Sequence, residues 1–164
     1  MDNKLANLSL ELAESLSSRQ LRLCLAESCT GGMLSGILTE IPGSSTWFDR
    51  AFITYSNDSK QIMLGVSKDS LEQYGAVSEQ IAQEMASGAL ANSLADISLS
   101  ITGIAGPSGG SKDKPVGTVF FALSSKNNEL VQGQLFAGER QSIRLQSCQF
   151  AIEQLLNFIE KTST

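Results

Sequence analysis

The stretch LRLCLAESCTGGMLSGILTEIPG, residues 21–43, changes its period in the middle. Leu21, Leu23 and Leu25 alternate as in a strand, whereas Met33, Leu34, Ile37, Leu38 and Ile41 recur at helical spacing until Pro42-Gly43 stops them. Between the two lies SCTGG, whose glycines permit a tight turn. The stretch therefore predicts strand, glycine turn, helix, the repeating element of a sheet covered by helices.

The same alternation extends in both directions. Leu5, Leu8, Leu12 and Leu16 predict an amphipathic helix before the strand. After it, residues 48–55 (FDRAFITY) read as a second strand, and SNDSKQIML as a short helix, with Ser56 or Asn57 as N-cap and Gly65 as stop. A helical turn or two is expected over 68–74, then a helix from Glu79 to about Leu94 capped by Ser78. ISLSITG (97–103) predicts a third strand that enters IAGPSGGSKDKP, a glycine- and lysine-rich segment expected to be a mobile loop. VGTVFFALSS and ELVQGQLFAG predict a hairpin turning at Asn127-Asn128, followed by a helix from about Glu139 to Ile159. The expected fold is one α/β domain over 1–164: a three-layer α/β/α sandwich around a mostly parallel sheet of about five strands, with an antiparallel element near the end.

Composition narrows the function classes. A chain of 164 residues can bury about 70% of the surface that it exposes when extended, enough for one substantial core. A net charge of -5 without a basic cluster argues against nucleic-acid or anionic-membrane partners, which need a concentrated positive field, but not against a small anionic ligand. The opening MDNKLANLSLELAESL lacks a basic region followed by an apolar core, and no apolar run could span a bilayer, so a cytoplasmic location is expected. Three cysteines (Cys24, Cys29, Cys148) without CxxC spacing, in a chain with no histidine, predict neither disulfides nor a metal site, and no cofactor is expected.

In parallel α/β sheets ligands gather beyond the carboxyl ends of the strands. Three predicted loops lie there: Ser28 to Gly32, Tyr55 to Lys60, and Thr102 to Pro107. Ser28 or Cys29 can supply a nucleophile, and residue order alone leaves the choice open. The N–H groups of Thr30, Gly31 and Gly32 can hold an oxyanion at the start of the next helix. Without histidine the base must be another group. Lys60, in the first turn of a helix, has its ammonium disfavoured by the helix dipole, and burial would lower its pKa further toward the 7 to 8 that a base needs. Tyr55 can orient the amine or relay a proton. Glu27 reads by default as a strand-end charge, with a role as a third-group carboxylate as the alternative. Arg140 and Arg144, spaced i, i+4 near a helix N-terminus against local electrostatic preference, suit a phosphate, as does a loop containing Thr102, Gly103 and Gly106.

Four separated motifs, AESCTGG (26–32), YSNDSK (55–60), TGIAGPSGG (102–110) with KPVGTV (114–119), and GERQSIR (138–144), resemble the CinA C-terminal domain family. The resemblance spans nearly the whole chain. It implies hydrolysis of the carboxamide of nicotinamide mononucleotide to nicotinate mononucleotide and ammonia, in pyridine nucleotide salvage. It also implies Ser28 as nucleophile in place of Cys29, Lys60 as base, Tyr55 as the accompanying tyrosine, and a homodimer or higher assembly. A non-catalytic nucleotide-binding or regulatory module of the same fold is the competing expectation.

Overall fold

The computed structural model describes residues 3–162. Five strands form one sheet in the order β2-β1-β3-β4-β5, with β1 Leu23–Glu27, β2 Phe48–Ile53, β3 Ile97–Gly103, β4 Thr118–Ser125 and β5 Glu129–Leu135. β2, β1 and β3 run parallel to one another, and β4 and β5 add two antiparallel strands beyond β3. Six helices flank the sheet: α1 Asn3–Ser18, α2 Met33–Thr39, α3 Asn57–Leu64, α4 Lys68–Tyr74, α5 Glu79–Ala91 and α6 Arg140–Thr162. None of the helices among the described residues is long and apolar enough to cross a membrane.

The layers follow from side-chain alternation along the strands. Leu23 and Leu25 of β1 and Ile97, Leu99 and Ile101 of β3 face a core shared with α1, α2 and α6. Leu12 and Leu16 of α1 are fully buried in it, each contributing about 1.5–3 kcal/mol. Cys24 and Ala26 point to the opposite face, where Leu64, Ile81 and Met85 come from α3 and α5. Every residue of β1 is buried, as befits a strand covered on both sides. On β3 the residues facing α5 are serines, and their hydroxyls donate to helix carbonyls, Ser98 to Ala86 (2.7 Å) and Ser100 to Ala82 (2.6 Å), so the polar half of ISLSIT is buried without unpaired groups.

Local signals set the helix ends. Ser56 and Ser59 cap α3 reciprocally, each hydroxyl accepting the other's N–H at 3.1 Å, and Gly65 ends it in the left-handed region. Ser78 caps α5. Helix α5 stops at Ala91, short of the expected Leu94, and β4 begins at Thr118 instead of Val116. The segment after β3, expected to be mobile, is a folded loop. Ile104 and Gly117 bond across its base, and the Lys114 ammonium donates to the Tyr74 carbonyl at 2.9 Å.

Helix α5 crosses the end of α3 at Gly88, where a Cβ would stand 2.0 Å from the Leu64 carbonyl oxygen. Gly88→Ala is therefore expected to destabilise the fold by about 2 kcal/mol, read as a lower urea midpoint. Because α3 also carries Lys60, the same substitution should lower activity.

Candidate active site

The parallel register brings three strand ends side by side. Glu27 of β1 pairs with Ile53 of β2 and with Ile101 of β3. Beyond them Ser28 N–H donates to Ile101 O and Thr54 N–H to Glu27 O, each at 2.9 Å, so the chain leaves the sheet at three adjacent points. A cleft of about 220 Å³ opens there, lined by residues that include Ser28, Cys29, Tyr55, Lys60, Thr102 and Arg140.

Its floor is a serine–lysine pair. Lys60, the fourth residue of α3, is only 1% exposed, and its Nζ lies 3.0 Å from Ser28 Oγ. The amine also donates to Thr54 O at 2.7 Å. Burial lowers the Lys60 pKa from its ordinary 10.5 to about 8. In its neutral form an amine that donates to Thr54 O can accept from the Ser28 hydroxyl at this distance. Cys29, by contrast, packs into the core, and burial raises its thiol to about 11. A protonated thiol is a poor nucleophile at neutral pH.

Tyr55 stands apart from this pair. Its side chain is at the rim, and its hydroxyl accepts from Arg140 Nη2 at 2.9 Å. Lys60 is held by the Thr54 carbonyl, while Tyr55, expected to orient the amine or relay a proton, has its hydroxyl on Arg140. Arg140 also donates from Nη1 to Gly106 O (2.7 Å), spanning the cleft mouth between the Tyr55 and Gly106 loops. Arg144 does not share that position. Its Nε and Nη2 donate to Cys29 O (3.1 Å) and Thr30 O (2.7 Å), so two of its donors serve the SCTGG turn.

The expected oxyanion donors are also largely occupied. Gly31 N–H donates to Ser28 O, Gly32 N–H to Glu27 Oε2, both at 3.0 Å, and Thr30 is completely buried. Cys29 also lines the cleft, and its amide donates to no other residue among those described. Thr102 donates its hydroxyl to Ala76 O (2.7 Å), and Gly103 has no space for a side chain because a Cβ would stand 2.7 Å from Val119 Cγ2. Both line the cleft, while Gly106 reaches it through its carbonyl on Arg140.

Sequence reasoning missed what Glu27 does. It is a fully buried carboxylate, not a strand-end surface charge, and accepts from the N–H groups of Gly32 (3.0 Å), Leu34 (3.2 Å) and Ser35 (2.8 Å) and from the Ser35 hydroxyl. The signal was present: an acid just ahead of a helix start with no Ser, Thr, Asp or Asn at its cap position, Gly32.

The family model of the CinA C-terminal domain matches residues 5–159. The chain belongs to the CinA C-terminal domain family. Within this family it is 45% identical over 163 residues to the nicotinamide-nucleotide amidohydrolase PncC of Escherichia coli K12, covering 98% of this chain and 99% of that one. It is 47% identical over 156 residues to the PncC of Enterobacter agglomerans, covering 94% and 95%. The competence/damage inducible protein CihA of Agrobacterium tumefaciens has the same fold, with a TM-score of 0.94 at 43% identity and 96% of each chain covered. Longer family members exist: the CinA-like protein of Syntrophotalea carbinolica is 52% identical over 148 residues, which make up 36% of its length.

Proposed function

We propose that the chain hydrolyses the carboxamide of nicotinamide mononucleotide, a free cytoplasmic nucleotide, to nicotinate mononucleotide and ammonia. The observation that carries this reading is the buried Lys60 amine 3.0 Å from Ser28 Oγ, in a cleft with a guanidinium at its mouth. The names of its nearly full-length relatives agree with it.

Neutral Lys60 takes the Ser28 hydroxyl proton as Oγ attacks the amide carbon. The Cys29 amide, on the residue after the nucleophile, receives the developing oxyanion. The Lys60 ammonium then gives its proton to the departing nitrogen, releasing ammonia and leaving an ester on Ser28. Lys60 next activates the water that cleaves this ester. The substrate's pyridinium withdraws electrons from the amide and favours attack.

The phosphate is assigned to Arg140, which lines the cleft and spends only two of its five donors on Tyr55 and Gly106, and not to Arg144, which is not among the lining residues. Arg140→Ala is accordingly expected to raise KM roughly 10- to 100-fold, the worth of one charge-assisted contact, with kcat changed much less. Steady-state kinetics on the nucleotide and on its phosphate-free riboside check this, since the riboside should be insensitive to the substitution.

The proposal is tested by incubating the protein with nicotinamide mononucleotide and measuring ammonia and nicotinate mononucleotide, which should appear in equal amounts. Tight binding of the nucleotide without either product would replace the enzyme by a non-catalytic nucleotide-binding module.

A further inference from the structure

The SCTGG turn is held from two sides by opposite charges. On one side the Glu27 carboxylate, 0% exposed, gathers the amides of Gly32, Leu34 and Ser35 and the Ser35 hydroxyl. Among the described residues no basic side chain forms a salt bridge with it. A buried carboxylate without a cation is costly unless hydrogen bonds satisfy it, and here backbone donors do so. On the other side Arg144 reaches from α6 to the carbonyls of Cys29 and Thr30. The anion thus ties the N–H groups and the cation the C=O groups of one short segment, which passes through left-handed conformations at Gly31 (φ 56°) and Gly32 (φ 91°).

That segment begins with Ser28. Its own amide is fixed on Ile101 and its carbonyl on Gly31, so the position of Oγ relative to Lys60 Nζ depends on the turn staying in place. The two reacting groups come from different segments, the turn after β1 and helix α3, and a displacement of about 1 Å between such groups is enough to cost about 10²-fold in rate. We infer that Glu27 and Arg144 act as one positioning device: they clamp the turn so that Ser28 Oγ stays within hydrogen-bond reach of Lys60, and neither touches substrate. The inference rests on the serine–lysine reading of the site.

Its test separates the two. The probe is a small phosphonofluoridate, whose phosphorus is attacked by the serine oxygen as fluoride leaves; the labelling rate needs no nucleotide and is read by intact mass and peptide mapping. Glu27→Gln keeps the shape but puts an NH2 group against backbone donors, and Arg144→Lys offers a point charge that cannot bridge two carbonyls. Each should label Ser28 at least tenfold more slowly than wild type. The kcat for nicotinamide mononucleotide should fall by a similar factor, with KM within about twofold. The double variant should be no slower than the slower single one, because both act through the same turn. Ser35→Ala, which removes a single contact to Glu27, should label roughly threefold more slowly in an otherwise wild-type chain and have no further effect in Glu27→Gln. It carries the test with Arg144→Lys if Glu27→Gln does not fold.

Folded variants that label at the wild-type rate while only their melting temperature falls would reduce the clamp to a stability element and overturn the inference. Additive losses in the double variant would also overturn it as a single device. A wild type that leaves Ser28 unlabelled would remove the aligned nucleophile on which it depends. Labelling that follows the expected pattern in a protein that does not hydrolyse the nucleotide would support the clamp and reject the proposed substrate.

Discussion

Lys60→Met is expected to lower kcat for amide hydrolysis roughly 10³-fold, the scale of losing a general base. The side chain is nearly the same length and apolar, so the cavity stays filled while the amine 3.0 Å from Ser28 Oγ is gone. In the wild type, activity should rise with pH to a midpoint near 8, because only the neutral amine can take the hydroxyl proton. The variant should lose that limb. Stability supplies a second readout. Burial weakens proton binding to Lys60 in the folded chain, so between pH 8 and lysine's ordinary 10.5 the unfolded chain holds a proton that the folded chain has released. Stability from this group therefore grows as pH rises through that window, by on the order of 3 kcal/mol in total, and this gain is absent below pH 8. Burial of Cys29 acts oppositely above pH 9, since its thiol stays protonated up to about 11 in the folded chain. Subtracting the unfolding free energies of Lys60→Met from those of wild type cancels the thiol and should leave a positive slope in pH.

Ser28→Ala is expected to have the largest effect, a loss on the order of 10⁴-fold or more in kcat, because the covalent route is then closed. Nucleotide binding should survive, since Arg140 and the cleft walls remain. Cys29→Ala should retain most of the activity: its thiol is buried in the core and held protonated. Loss of activity in Cys29→Ala with retention in Ser28→Ala would exchange their roles. Initial rates on nicotinamide mononucleotide and equilibrium binding of the same nucleotide read both halves.

Most of the fold was legible because its signals are local. The switch from period 2 to period 3.6 at SCTGG located β1 and α2, Ser56 and Gly65 bracketed α3, and Ser78 opened α5. Strand order was not legible, because hydrogen bonds between β1, β2 and β3 join residues far apart in sequence. At the site, Lys60 could be singled out because a chain with no histidine needs another base and a helix start disfavours an ammonium ion. Its burial, the dominant cause of the lowered pKa, depends on tertiary packing that brings Ser28 and Thr54 to the amine and could only be anticipated. The two arginines show the limit most clearly. A spacing of four placed them on one face of α6, but where each guanidinium goes depends on the neighbours that tertiary structure supplies. Arg140 meets Tyr55 and Gly106, and Arg144 meets the turn carbonyls. The partners of the glycine amides were not legible for the same reason: the acceptor on Gly32 N–H is Glu27, five residues earlier.

Ser28, activated by buried Lys60, is expected to carry the acyl group of the nucleotide during turnover. The most direct measurement is the mass of the peptide containing Ser28 and Cys29 after rapid acid quench of the protein turning over nicotinamide mononucleotide. An ester of the nicotinate nucleotide on the Ser28 oxygen is expected, absent from Ser28→Ala. A thioester on Cys29, or an unmodified peptide from a chain in which Ser28→Ala hydrolyses the nucleotide at the wild-type rate, would contradict it.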